Sequence, residues 1–96
     1  MNSALNLVDR YRVELSQRAA KQLKGLDRTT QVRLVKTIHL LADHPRPPAA
    51  RALAGQPGYL RVRIGDYRIV YSVNDGVLLV LVLAVGHRRE IYRRLP

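Results

Sequence analysis

Arginines, together with one histidine and one tyrosine, form the group of side chains in this sequence whose types and spacing suggest catalysis. The group comprises Arg61, Arg63, Arg68, His87, Arg88, Arg89 and Tyr92. Arginine stays charged at every relevant pH, and its planar fork matches two oxygens of a phosphate. A histidine or a tyrosine can move a proton, although the tyrosine needs nearby cations to lower its pKa. The set therefore suggests chemistry on a phosphate group.

RNA is a substrate that such a set can cleave, because RNA carries its own nucleophile. The 2′-hydroxyl lies beside the scissile phosphate, so an enzyme must align it, help to remove its proton and stabilise the charge of the transition state. In this hypothesis the arginines stabilise charge, while Tyr92 and His87 are the candidates for proton transfer. The alternative is that Arg61 and Arg63 are only the solvated face of a strand.

The net charge also indicates a polyanionic partner. Seventeen Lys and Arg residues stand against seven Asp and Glu residues, which gives a formal charge of +10. Fourteen of the seventeen basic residues are arginines. Such a surplus is typical of proteins that bind RNA, DNA or an acidic protein. A basic surface that only aids solubility is the alternative.

Several function classes lack the residues that they need. There is no cysteine, which excludes disulfides and thiolate sites and is compatible with the cytoplasm. The seven carboxylates are scattered and form no metal-binding motif, so we expect no metal. No phosphate-binding glycine loop or dinucleotide motif occurs, so we expect no cofactor. The apolar run Val77–Val85 is too short to span a membrane, and no signal peptide precedes it.

The first half of the chain predicts a strand and two helices. Tyr11–Leu15 has the pattern of a short strand. Ser16 is a good N-cap for a helix over Gln17–Leu26, and Asp27 is a good N-cap for a helix over Arg28–Asp43. The residues predicted to face the core are Ala19, Leu23 and Leu26 on the first helix and Val32, Val35, Ile38 and Ala42 on the second. The short connection between the helices predicts an antiparallel hairpin.

The second half predicts strands. Arg51–Gly58 is expected to be a loop, and the alternation in Tyr59–Ile64 predicts a strand with Arg61 and Arg63 on one face. Tyr67–Asn74 is the next strand. Asp75-Gly76 then predicts a tight turn with Gly76 open to positive φ. Val77–Val85 is apolar on both faces, which predicts an interior strand that Gly86 ends.

These elements predict a single domain over residues 1–96 of the α+β class. The order is β-α-α-β-β-β, with a helical hairpin packed on a small, mostly antiparallel sheet. The last strand, if antiparallel to its predecessor, ends beside Arg68. The short basic tail His87–Leu95, which includes a possible helical turn, would then bring Arg88 and Tyr92 to the same edge.

Two segments carry a resemblance to a known family. The segment L-x-G-x-x-G-Y-L-R-V-R-I-G-D-Y-R-I-V-Y (Leu53–Tyr71) and the segment V-G-H-R-R-E-I-Y (Val85–Tyr92) resemble the RelE/ParE toxin superfamily, nearer to its RelE branch. The resemblance extends from Tyr11 to about Arg94. It implies the toxin of a type II toxin–antitoxin system. Such a toxin acts in the A site of the 70S ribosome, cuts messenger RNA there and inhibits translation.

The resemblance also implies roles for individual residues. Arg61 and Arg63 match the family's pair of strand cations, and Arg68 matches the arginine that contacts the scissile phosphate. Arg88 matches an arginine that stabilises the transition state, and Tyr92 matches the tyrosine that orients or activates the nucleophile. His87 stands where some relatives have lysine. Arg61, Arg63, Arg68 and Arg89 are the residues expected to bind RNA.

Two other functions remain open at this point. A ParE-like inhibitor of DNA gyrase without nuclease activity would share the fold and the basic surface. A nucleic-acid-binding domain without catalysis would leave the site residues scattered. If the chain is such a toxin, we expect a cognate RelB-like antitoxin to cover it. The helix faces with Leu40-Leu41 offer apolar surface for this partner.

Overall fold

The computed structural model describes residues 10–88 and Ile91. In this part of the chain, one five-stranded sheet carries two helices on one face. The elements are β1 (Arg12–Leu15), α1 (Gln17–Lys24), α2 (Arg28–Asp43), β2 (Arg51–Ala52), β3 (Tyr59–Ile64), β4 (Tyr67–Asn74) and β5 (Leu79–His87). The α+β class is confirmed. The short strand β2 is not predicted from the sequence, because it lies inside the segment Arg51–Gly58, for which the sequence predicts a loop.

The sheet has the strand order β1-β5-β4-β3-β2. Only β1 and β5 pair in parallel, and the other neighbours are antiparallel. The prediction of a mostly antiparallel sheet is therefore confirmed. The apolar last strand lies between two neighbours, as its sequence predicted, because a strand that is apolar on both faces is stable only when both are covered.

Both predicted helix caps are present. The Ser16 hydroxyl oxygen accepts a hydrogen bond from the Ala19 N–H at 3.0 Å, and an Asp27 carboxylate oxygen accepts one from the Thr30 N–H at 3.2 Å. These side chains satisfy N–H groups that the first turn of a helix leaves unpaired. The cap positions therefore set where α1 and α2 begin.

The buried stripe of α2 differs in part from the prediction. Leu34, Ile38 and Leu41 face the sheet and are nearly inaccessible, whereas Val32 is 47% exposed. Val32 is two residues from Leu34, which places it about 200° away around the helix. Its predicted place in the core is therefore wrong, and Leu34 takes that place because its side chain continues the i, i+4, i+7 pattern of Ile38 and Leu41.

Each face of the sheet has its own apolar cluster. The helix-covered face packs Val62, Ile69 and Val82 with side chains from both helices. The opposite face, which we call the open face, packs Val70, Leu83, Ala84 and Ile91, with Tyr59 and Leu53 at the margin. The open face has no helix from residues 10–88 over it, so part of it remains available to a ligand.

The turn between β4 and β5 is longer than predicted. Strand pairing closes at Asn74 and Leu79, which leaves four residues in the turn instead of two. The Asn74 side chain accepts hydrogen bonds from the N–H groups of Gly76 and Val77 at 3.0 and 3.3 Å. Positive φ falls on Leu78, at 53°, and not on Gly76, so that prediction is wrong. The side-chain contact of Asn74 organises this turn in place of a glycine.

Gly86 does not end the last strand. It lies within β5 and pairs with Arg68 of β4. The prediction of a break at Gly86 is therefore wrong, because ladder pairing to β4 continues through this position as far as His87. A Cβ at Gly86 would lie 3.9 Å from the Cβ of Ile91, which is an ordinary contact distance, so packing does not require a glycine at this position.

Candidate phosphate-binding site

Strand register brings three of the predicted arginines together. Arg63 of β3 pairs directly with Arg68 of β4, and Arg68 pairs with Gly86 of β5. Directly paired residues share a face of the sheet, and residues two apart along a strand do so too. Arg61, Arg63 and Arg68 therefore lie side by side on the open face, as the sequence predicted for the first two.

Arg68 is the central residue of this group and is buried. Its residue is only 9% exposed, and its Nη1 donates to the carbonyl oxygen of Tyr67 at a long 3.4 Å. Among the described residues no carboxylate lies within ion-pair distance of it. A buried charge without a counter-charge is costly, and an anion that binds there relieves this cost. The site is therefore preorganised for an anion.

The three arginines line an open groove of about 610 Å³. Leu53 and Gln56, from the loop before β3, form the opposite wall. No acidic residue is among the described residues that line the groove. Arg61 is half-buried and Arg63 is exposed, so the positive charge extends from the buried Arg68 towards solvent. A groove of this kind can hold a chain of phosphates better than a single small anion.

Two described residues follow β5, and each is held by a backbone hydrogen bond. The Arg88 N–H donates to the carbonyl oxygen of Asp66 at 2.8 Å, which ties Arg88 to the β3–β4 turn. The Ile91 N–H donates to the carbonyl oxygen of His87 at 3.0 Å. Ile91 is buried on the open face. Arg88 is exposed at the same end of the sheet as Arg68.

Two of the predicted residues lie outside the described part of the chain. They are Arg89 and Tyr92. The roles predicted for Arg89 and Tyr92 stay predictions.

His87 does not join the arginines. It pairs with Tyr67, and the two rings meet edge to face with their centroids 5.9 Å apart. Tyr67 packs against the helix-covered cluster, so the His87 ring lies on the opposite side of the sheet from Arg68. The sequence alone did not separate them, because the predicted break at Gly86 removed the alternation that assigns a face to His87.

Two residues that the sequence analysis did not select also lie at this end of the sheet. Arg33 extends from α2, and its Nη2 would lie 3.3 Å from a Cβ at Gly65 in the β3–β4 turn. Gln22 of α1 accepts a hydrogen bond from the Val85 N–H at 2.9 Å. Neither contact has a sequence signal, because each joins segments that are far apart along the chain.

The opposite end of the sheet holds charges that are paired. The Arg46 guanidinium donates two hydrogen bonds to Asp75 at 3.1 and 3.0 Å, and the Tyr11 hydroxyl donates a third at 2.6 Å. The bonds from Arg46 and then from Tyr11 hold the pKa of the Asp75 carboxyl below its usual value. Nearby, burial raises the pKa of Tyr71 to about 12, and its hydroxyl donates to the Pro45 carbonyl at 2.7 Å.

The described residues contain no cluster of three or more His, Cys, Asp or Glu side chains arranged to hold a metal ion. No described helix is long and apolar enough to cross a membrane. The groove offers only guanidinium, amide and apolar groups along its described lining. Those groups can bind and orient a phosphate and can stabilise added negative charge.

Comparison with known proteins places the chain among bacterial and archaeal toxins. Residues 13–92 match the family described as the ParE toxin of the type II toxin–antitoxin system, parDE. A putative RelE-like toxin protein of Escherichia coli is 32% identical over 82 residues, which cover 84% of this chain and 86% of the relative. The mRNA interferase toxin RelE of E. coli strain K12 is 31% identical over 86 residues, or 85% and 90% of the two chains.

Solved structures agree with this assignment. The toxin–antitoxin complex RelBE2 of Mycobacterium tuberculosis contains a chain that superposes on 82% of this one with a TM-score of 0.74. The match covers 99% of that chain at 26% identity. The fold predicted from the sequence, two helices on a mostly antiparallel sheet, is therefore the fold of these toxins.

Proposed function

The chain belongs to the RelE/ParE superfamily of toxins from type II toxin–antitoxin systems, and from this premise we propose that it is an endoribonuclease that cuts messenger RNA in the A site of the ribosome. The observation that carries the proposal is the buried guanidinium of Arg68, which has no acidic partner among the described residues. A relative of 31% identity is named an mRNA interferase toxin.

In the proposed reaction the 2′-oxygen of the RNA attacks the adjacent phosphorus. The bond from phosphorus to the 5′-oxygen breaks, and the 5′-oxygen takes up a proton from solvent. The products are a 2′,3′-cyclic phosphate and a 5′-hydroxyl. Arg68 binds a non-bridging oxygen of the scissile phosphate and stabilises the added negative charge of the transition state. Arg61 and Arg63 hold the neighbouring phosphates along the groove.

Arg88 and Tyr92 complete the proposed site. Arg88 stabilises charge on the leaving oxygen, and Tyr92 orients or deprotonates the 2′-hydroxyl. His87, on the other side of the sheet, supports the strand end through its contact with Tyr67. The reaction needs no metal and no cofactor in this proposal, because positioning and fixed positive charge supply the stabilisation.

The partner that silences the toxin is proposed to be a RelB-like antitoxin, since a similar toxin has been solved in a toxin–antitoxin complex. An apolar groove of about 1000 Å³ runs between the helices and is lined by Leu15, Leu23 and Val35 among others. Leu40, 61% exposed, adds apolar surface on α2, whereas its neighbour Leu41 is buried in the core. These surfaces suit an amphipathic helix. The site of action is the cytoplasm, where ribosomes translate.

The experiment that tests the proposal is cleavage of a translated message in a cell-free system, with mapping of the new 5′ ends. Cuts are expected in translated frames only, with 5′-hydroxyl ends. Arg88→Ala and Tyr92→Phe should each slow the cutting, and the second variant removes only a hydroxyl. Cleavage of free RNA at the same rate would contradict the proposal.

The second candidate is a ParE-like gyrase inhibitor, which is favoured by the name of the matching family model. It predicts that the chain blocks DNA supercoiling by gyrase and leaves messages intact. It gives no chemical role to the buried Arg68, which has no acidic partner in the described part of the chain. A supercoiling assay beside the cleavage assay separates the two candidates.

A further inference from the structure

The last residues of β5 extend beyond the end of β1, and a side chain of α1 forms a hydrogen bond with them there. β1 pairs with β5 only as far as Leu15 and Val82, so β5 continues for five residues beyond that neighbour. Backbone groups at a buried strand edge need hydrogen-bond partners. α1 supplies two of them: the Ser16 hydroxyl donates to the Leu83 carbonyl at 3.0 Å, and the Gln22 Oε1 accepts from the Val85 N–H at 2.9 Å.

The Gln22 contact lies next to the residues that form one border of the phosphate site. Val85 is fully buried and is followed directly by Gly86, which pairs with Arg68. The Arg88 N–H donates to the carbonyl oxygen of Asp66, which ties Arg88 to the β3–β4 turn. A shift of Val85 would therefore displace Gly86 and Arg88 relative to Arg68.

We propose that Gln22 is a positioning residue, which sets the place of Gly86 and Arg88 beside Arg68 by holding the β5 backbone at Val85. This inference rests on the proposed nuclease function. Gln22 suits the task because α1 is anchored at its capped N-terminus and by Ala19, which is fully buried against the sheet. A side-chain amide oxygen replaces the backbone carbonyl that a longer β1 would provide. Gln22 does not contact the RNA in this proposal.

The test compares two substitutions of Gln22 with a polar-to-apolar control at an exposed helix position. Gln22→Met keeps the length of the side chain and removes the acceptor, whereas Gln22→Glu keeps an acceptor oxygen. Thr29→Val is the control, because Thr29 is exposed on α2 and lines neither of the two grooves described above. Each variant is assayed for its cleavage rate at saturating ribosomes, for its half-saturating ribosome concentration and for hydrogen exchange at the Val85 amide.

Gln22→Met should lower the saturated cleavage rate by about 10-fold to 10²-fold, since a displacement of about 1 Å has an effect of that size. Its half-saturating concentration should change little, and the Val85 amide should exchange faster. Gln22→Glu should restore the saturated rate and the protection of Val85, while its added negative charge raises the half-saturating concentration. If Gln22 had only a structural role, Gln22→Met would lower the folded fraction, and the folded molecules would keep both the saturated rate and the half-saturating concentration of the wild type. Thr29→Val should match the wild type in all three measurements.

Three outcomes overturn the inference. The first is a wild-type rate for Gln22→Met, the second is a Val85 amide that stays protected in that variant, and the third is a Gln22→Glu rate as low as that of Gln22→Met. If Gln22→Met does not fold, the Gln22→Glu result decides. If the wild-type chain cuts no message, the proposed function fails instead. The amide shifts of Gly86 and Arg88 in Gln22→Met then decide the positioning role: movement supports it, and unchanged shifts refute it.

Discussion

The arginines at the two ends of the sheet differ in burial and in ion pairing. At the β4–β5 end, Arg46 is exposed and forms a two-pronged ion pair with Asp75. At the β3–β4 end, Arg68 is buried and has no acidic partner among the described residues. An exposed ion pair adds little to stability, whereas a buried cation without a counter-charge is costly unless an anion binds to it. The contrast is the basis for the proposed role of Arg68.

The same contrast explains why net charge alone does not locate a site. The chain carries a formal charge of +10, and arginines occur on nearly every element. Arg10, Arg12 and Arg46 each have a carboxylate partner within 3.0 Å. The arginines of the groove lie on one face of two neighbouring strands, where like charges approach each other. That arrangement is unfavourable without an anion, and for this reason we propose the groove as the phosphate-binding surface.

Arg68→Ala gives the largest expected effect and tests most directly whether the buried arginine is needed for cleavage. Loss of one preorganised charge-stabilising group typically lowers a rate by about 10²–10³-fold, and we expect that loss in the single-turnover cleavage of ribosome-bound message. Arg46→Ala removes the same charge from the other end and is the control, with an expected wild-type rate. Equal rates for Arg68→Ala and the wild type would show that the groove is not the active site.

An alkaline titration tests the end of the sheet where Tyr71 lies near the ion pair of Arg46 and Asp75. Burial raises the pKa of Tyr71 to about 12, above the value of 10.0 for an unperturbed tyrosine. Below pH 10 the folded and unfolded chains both keep this proton, so its contribution to stability is fully present. Between pH 10 and about 12 the unfolded chain loses the proton more readily, and the free energy of unfolding should fall by about 2 to 3 kcal/mol.

Tyr71→Phe removes the group that titrates and serves as the control for that measurement. Denaturant unfolding at several alkaline pH values should show a flatter dependence in this variant than in the wild type. A wild-type profile that stays level between pH 10 and pH 12 would mean that the Tyr71 hydroxyl is not held in an apolar environment.

The salt dependence of ribosome affinity gives a smaller effect that also distinguishes the arginines of the groove from Arg46. Ribosome affinity should fall as salt rises, because contacts with phosphates release counterions. Arg61→Ala should weaken the slope of log affinity against log salt by about one, since it removes one phosphate contact. Arg46→Ala should leave that slope unchanged. Binding measured between low and physiological salt checks both, and identical slopes for the two variants would argue against a phosphate-binding groove.

The smallest effect concerns Asp75 in acid. Its pKa is lowered below 3.8, first by the hydrogen bonds from Arg46 and then by the one from Tyr11. Its contribution to stability is therefore present above that pH and is lost as the pH falls through the lower, folded-state pKa. Asp75→Asn should remove this part of the acid sensitivity in urea denaturation. Part of it should remain, because hydrogen bonds from Thr30 also lower the pKa of Asp27.

Local patterns in the sequence were sufficient for most of the fold. Ser16 and Asp27 predicted where the helices begin, and the alternation of Tyr59–Ile64 predicted which face carries Arg61 and Arg63. These features depend on residues within a few positions of one another, so a single segment contains the information. The same holds for the apolar Val77–Val85 segment, whose composition required an interior strand even though the strand itself begins at Leu79.

Only the tertiary structure decided how these elements are used. The burial of Arg68, the separation of His87 from the arginines and the contact of Gln22 with Val85 depend on which strands are neighbours and where β1 stops. Gly86 shows the limit most clearly: its type suggested a break, yet ladder pairing with Arg68 carries the strand through it. Cross-strand register joins residues that are distant along the chain, and no local pattern records that register.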